Sequence, residues 1–95
     1  MERLTRAVAL ITGGSRGIGL GIAHSLAAAG MAVAINGVRP REQAAGALES
    51  LARMQVPVLY CQGNIAEAAH RASILDQIRQ QWGRLDVLVN NAGVA

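Results

Sequence analysis

Thr12-Gly13-Gly14-Ser15-Arg16-Gly17-Ile18-Gly19 follows the apolar run Ala7-Val8-Ala9-Leu10-Ile11 and opens a segment with helical spacing. A short, continuously apolar run stopped by glycines reads as a strand buried on both faces of a parallel sheet. Each glycine in the turn that follows has its own work. Gly13 lets the chain leave the strand sharply, Gly17 lets backbone approach an anionic group, and Gly19 lets the helix pack closely on the sheet. The N–H groups of Ser15 to Ile18 then face an anion, and the helix dipole adds to their pull. The same glycines outside a strand-to-helix junction would carry little weight.

Further along the chain the same pattern recurs. Ala32-Val33-Ala34-Ile35 after Gly30 and Asp86-Val87-Leu88-Val89 before Asn90 are further apolar strands. A weaker run, Val56 to Tyr60, carries Pro57 near its start, which suits a sheet edge or a strand's first residue. Between the strands, Ile18, Ile22, Leu26 and Ala29 predict one helical stripe, and Ala44, Ala47, Leu48 and Leu51 a second. Ala68, Ala72, Leu75, Ile78 and Trp82 predict a third, with Glu67 near its start and Arg79 near its end. Pro40 suits a first helical turn, and Gly30 and Gly83 suit helix ends. Right-handed crossovers turn this β-α-β-α-β-α-β order into a parallel sheet with helices on both faces, an α/β fold.

Composition narrows the function. The 95 residues fit one domain, 1–95, and leave no room for a second core. All nine basic residues are Arg, so any chemistry that needs a lysine is absent from this chain. Hydrophobic residues at 52% and charged residues at 16% exclude a disordered chain. The net charge of +3 is scattered from Arg3 to Arg84, and only Trp82 and Tyr60 are aromatic, so nucleic-acid binding is not expected. No apolar run approaches the roughly 20 residues of a membrane span, and no signal peptide is visible. The single cysteine, Cys61, has no internal partner and no metal-ligand spacing around it. A cytoplasmic protein, with no membrane partner and no metal, is the expectation.

The turn at residues 12–19, joined to Asn90-Asn91-Ala92-Gly93 after the fourth strand, resembles the short-chain dehydrogenases/reductases over the whole chain. Ser15-Arg16-Gly17-Ile18-Gly19 and Leu85-Asp86-Val87-Leu88-Val89-Asn90-Asn91-Ala92-Gly93 echo bacterial 3-oxoacyl-[acyl-carrier-protein] reductases within that family. The resemblance implies a three-layer Rossmann-like sheet in the order 3-2-1-4, a nicotinamide cofactor, and hydride transfer to a carbonyl substrate such as a 3-oxoacyl thioester. It also places Asn90 beside the adenosine ribose, where it ties adjacent strands together. After the third strand, Gly63-Asn64-Ile65 stands where relatives commonly carry an Asp that accepts from the adenine amino group. Asn64 can accept through its side-chain oxygen, and it equally suits a cap for the helix that follows.

Charge argues for one cofactor. An NAD(H) site usually places an acid near the end of the second strand, where it binds ribose hydroxyls and repels a 2′-phosphate. Here that stretch is Ile35-Asn36-Gly37-Val38-Arg39, with no acid before Glu42. Arg16 and Arg39 supply donors for a phosphate, so NADP(H) is preferred and NAD(H) is the alternative. As a lone residue, Arg39 would equally be a solvated loop side chain.

The family's catalytic set, a Ser and a Tyr-x-x-x-Lys pair, is not in these residues. Tyr60 is followed by Asn64 at the lysine's spacing, and without a neighbouring cation a tyrosine is a poor base. The expectation is a truncated, inactive, cofactor-binding half of an enzyme with no catalytic residue of its own. A non-catalytic dinucleotide-binding module or inactive remnant is the alternative. Leu85 to Val89 reads as buried on both faces, yet no later strand is present to pair with it, so self-association through that edge is expected. His24 and His70 read as helix surface, Cys61 and Tyr60 as packing, and Asp86 as a local backbone acceptor.

Overall fold

The computed structural model describes residues 3–92; Met1, Glu2 and Gly93 of the second motif lie outside the described residues. Strands and helices alternate as β1 (Val8–Ile11), α1 (Gly17–Ala28), β2 (Ala32–Gly37), α2 (Ala45–Ala52), β3 (Val58–Gln62), α3 (Ala68–Trp82) and β4 (Val87–Val89). A single 3-10 turn, Arg41–Ala44, leads into α2. The strands form one parallel sheet in the order β3-β2-β1-β4, with Leu10 opposite both Ala34 and Leu88. This is the expected α/β architecture and the expected strand order.

Alternation along the central strands divides the core in two. Ala9, Ile11, Val33, Ile35 and Tyr60 face α1 and α2, whereas Val8, Leu10, Ala32, Ala34 and Cys61 face α3. Both central strands are therefore buried on both faces, as a parallel sheet between helical layers requires.

Four expectations need correcting. The inner face of α1 is Gly19, Ala23 and Ala27, with Leu20, Ile22 and Leu26 at its margins, and Ile18 is 73% exposed. Close approach to the sheet selects the smallest residues, so of the expected stripe Ile22 and Leu26 pack at the margin of the core while Ile18 turns to solvent. On α3 the buried residues are Ile74, Ile78 and Trp82, while Ala68 and Ala72 are exposed and Leu75 is half open. β3 begins at Val58 rather than Val56, since Pro57 has no N–H for the ladder; its carbonyl still accepts from Val33 N at 3.0 Å. The fourth difference is β4. Leu88 is 60% exposed and Val87 and Val89 are half-buried, because this strand has β1 on one side and no described strand on the other.

Parallel strands end on the same side. The turns after β1, β2, β3 and β4 therefore converge at one edge of the sheet, the edge where open α/β sheets bind ligands.

Candidate functional site

At that edge lies a cleft of about 710 Å³, lined by the turns after all four strands. Its volume falls in the range of small-molecule and cofactor sites.

One wall is the β1–α1 turn. Gly13 has a φ of +63°, a left-handed conformation that a side chain would strain. Its N–H donates to Asn36 Oδ1 at 3.4 Å, and Gly14 N–H donates to the Asn36 backbone carbonyl at 2.9 Å. From the other side, Asn91 Nδ2 donates to Gly13 O at 3.2 Å. Gly19 packs so tightly beneath the turn that a Cβ there would lie 2.2 Å from Gly13 O. α1 thus starts directly under the cleft. Its first turn holds no acid, and no side chain caps it, so its amide donors and dipole are available to an anion.

Ser15, Arg16, Ile18 and Gly19 line the cleft together with Gly13. Gly17 opens the helix with a φ of +59° and has open space where a Cβ would stand.

A second wall is the end of β2. The absence of an acid there has a steric side: a Cβ at Gly37 would lie 2.8 Å from Ser15 Oγ and 2.9 Å from Tyr60 Oη. Arg39 is not a solvated loop residue. It is half-buried, and its Nη2 donates to Ser15 O at 3.2 Å, while its Nε is buried without a hydrogen-bond partner among the described residues. The Tyr60 hydroxyl donates to Arg39 O and fixes the turn that carries the guanidinium. Burial pushes the Tyr60 phenol upward, against an opposing pull from Arg39. It is a brace and no base.

The third wall is the turn after β3. Asn64 does not cap α3, which begins at Ala68 with Glu67 at its N-cap; its Oδ1 accepts from Ala66 N–H at 3.0 Å and closes a local turn ahead of the helix instead. Asn64 N–H donates to His70 Nδ1 at 2.7 Å, and Arg71 Nη1 donates to Ile65 O at 2.7 Å. Asn36 Nδ2 donates to Cys61 O at 3.0 Å and Gly63 O at 3.1 Å, which links this wall to the other two.

Asn90 is placed differently from its neighbour. Asn91 and Ala92 line the cleft, whereas Asn90 lines a second, apolar groove of about 280 Å³ between α3 and β4, with Leu75 and Leu88. Asn90 joins β1 to β4 through Thr12, whose Oγ1 lies 3.3 Å from Asn90 Oδ1 and accepts from Asn91 N–H at 2.9 Å. Ile65 borders both cavities.

Residues 7–95 match the short chain dehydrogenase family. The chain belongs to that family. It is 42% identical over 86 residues to the 3-oxoacyl-[acyl-carrier-protein] reductase FabG of Staphylococcus aureus, covering 90% of this chain and 35% of that protein. The 3-oxoacyl-[acyl-carrier protein] reductase of Brucella melitensis in complex with NAD superposes with a TM-score of 0.86 at 37% identity, over 94% of this chain and 34% of that one. L-sorbose reductase of Gluconobacter frateurii, complexed with NADPH and L-sorbose, does so with a TM-score of 0.87 at 32% identity, over 97% and 35%. The chain spans about a third of the length of the curated reductase it matches. Nicotinamide dinucleotides are the cofactor class of the short-chain dehydrogenase family, and an NAD complex and an NADPH complex are among the similar structures.

Sequence reasoning missed four contributors. Asn36 carries a signal of its own, since a polar residue at the end of a buried strand has a hydrogen-bonding duty. Asn91 and Tyr60 act through contacts between distant segments, for which one sequence carries no signal, and His70 reaches back across the turn to Asn64. His24 likewise is no free surface residue, since its Nε2 lies 3.0 Å from Ser50 Oγ and joins α1 to α2.

Proposed function

We propose that these residues form the cofactor-holding half of an NADP(H)-dependent carbonyl reductase of the cytoplasm, with a 3-oxoacyl thioester as the preferred substrate class. The observation that carries the cofactor choice is the corner built by Gly37, Ser15 and Arg39. A side chain on residue 37 meets Ser15 and Tyr60, so an acid that would repel a 2′-phosphate has no room there. Beside it, the buried and unpartnered Arg39 Nε is a donor in want of an acceptor, and a phosphate oxygen is a strong one.

The residues fit the group. Backbone amides of Ser15 to Ile18 would hold the diphosphate above the Gly13 bend, Arg16 and Arg39 the 2′-phosphate, and Asn64 and Ile65 the base. When bound, the nicotinamide supplies or accepts the hydride. The chain's own part is to bind and orient, because it contains no lysine and its one tyrosine is engaged with Arg39 O. The names of the relatives support the substrate class.

Calorimetric titration of NADP+ and NAD+ against the chain tests the reading. Tighter binding of NADP+, lost on Arg39→Ala, is the expected result. Tighter binding of NAD+ would overturn the cofactor choice, and binding of neither would overturn the site.

A further inference from the structure

We infer that His70 is a positioning residue for the base end of the cleft, a latch that holds the Asn64–Ala66 turn only while its imidazole is neutral. The inference rests on the dinucleotide reading of the cleft and adds a control to it.

The geometry fixes the tautomer. Asn64 N–H can only donate, so His70 Nδ1, at 2.7 Å, accepts with its lone pair and the ring proton sits on Nε2. Gly63 leaves room for the side chain, since a Cβ there would lie 3.3 Å from His70 Cβ and 3.5 Å from ring Nδ1, so the ring stands against the turn from the side of α3. The clasped residues are Asn64, Ile65 and Ala66, which form the third wall of the cleft.

A proton on Nδ1 sets one donor against another and ends that bond. It also gives the ring a positive charge, and the carboxylate of Glu67, 3.8 Å from Nε2, then draws the ring toward itself. Arg71, the next residue, is engaged with Ile65 O and keeps its part of the turn in place at any pH. Gly63, packed on the ring from the β3 side, brings no ionisable group. Protonation therefore frees the Asn64 end of the wall.

The sign follows. The bond needs the neutral ring, so dinucleotide affinity is highest at mildly alkaline pH and declines on acidification. Loss of one net hydrogen bond that orders a ligand wall weakens binding roughly three- to tenfold.

The test compares the wild type with His70→Asn and His70→Gln. An Asn at 70 places its amide oxygen where Nδ1 stands and does not titrate, whereas a Gln puts its amide at the Nε2 position. Dissociation constants for NADP+ are measured from pH 8 to pH 5.5, as ratios of variant to wild type at each pH, so that titration of the ligand's own phosphate cancels. The expected result is equal binding by wild type and His70→Asn at pH 8, a three- to tenfold advantage of His70→Asn at pH 5.5, and weaker binding by His70→Gln throughout. The Asn64 amide resonance in the 15N–1H spectrum of the ligand-free chain gives a readout independent of binding. It should move with pH in the wild type and stay put in His70→Asn. A pH-independent Asn64 amide in the wild type, or a variant ratio that is the same at both ends of the pH range, overturns the latch. Failure of every form to bind NADP+ at pH 8 overturns the dinucleotide reading instead.

Discussion

Arg84 forks onto Asp86, with Nε 2.8 Å from Oδ2 and Nη2 2.8 Å from Oδ1, and Oδ2 also accepts the Val8 backbone N–H at 2.8 Å. The start of β4 is thereby tied to the start of β1, and Arg84 Nη1 adds bonds to Leu4 O at 3.2 Å and Thr5 O at 3.0 Å. The Arg84 hydrogen bond, then the Val8 amide, hold the Asp86 carboxyl down at about 2. A carboxyl lowered in this way contributes stability that is present above its unfolded value near 4 and is lost as pH falls toward 2. Thermal melts between pH 5 and 2 should show a fall for the wild type that Asp86→Asn lacks. Parallel curves would show that the fork does not contribute.

Gly19→Ala should be far more harmful than an alanine inside a helix usually is. Its methyl group would stand 2.2 Å from Gly13 O and 2.6 Å from Asn91 Nδ2, so the helix or the turn must move. We expect a loss of at least about 2 kcal/mol in urea unfolding. Gly21→Ala, on the same helix with open space at its Cβ, should be neutral or slightly stabilising and serves as the control.

Tyr60→Phe removes the donor to Arg39 O and little else. It should cost about 1 kcal/mol of stability and loosen the turn that presents the guanidinium. NADP+ affinity should fall several-fold while NAD+ affinity holds. Equal losses for both cofactors would mean that Tyr60 supports the cleft in general and not the Arg39 corner.

Burial pushes the Cys61 thiol up to about 11. The thiolate is the reactive form, so a disulfide reagent at pH 8 should label the native chain slowly and the urea-unfolded chain at once. Fast labelling under native conditions would show that β3 opens readily.

Leu88, at 60% exposure, and Leu75, at 49%, flank the apolar groove beside the edge of β4 on which no described strand lies. An exposed strand with apolar neighbours is a template for a second copy of itself. Light scattering should show a mass that rises with concentration for the wild type and rises less for Leu88→Lys. A constant monomer mass would rule out association through this edge.

Much of this fold was legible because its signals are local. The Ala7–Ile11 run, the glycines at 13, 17 and 19, and the Gly83 helix end each carry their instruction within a few residues. The stripe on α1 was misread for a physical reason: contact with the sheet is made by Gly19, Ala23 and Ala27, and hydrophobic spacing weighs size where this interface rewards its absence. Within the site, the β1–α1 turn could be read residue by residue. Arg39 could not, since its burial depends on Ser15 and Tyr60, which neighbour it only after folding. The division of labour between Asn90 and Asn91 was invisible too, because adjacent residues on a strand end point to opposite faces and only the completed sheet shows which face holds the cleft.

The amide of Asn36 has a mechanical consequence. One side chain bonds the bend after β1 and the exit of β3, so two rims of the groove share a single rivet. A ligand arriving there meets walls already set at their working separation, and little freedom is left to be frozen out on contact. Cutting that rivet would leave each rim to find its own place, and the penalty would surface as slower, weaker capture even with every contacting group intact.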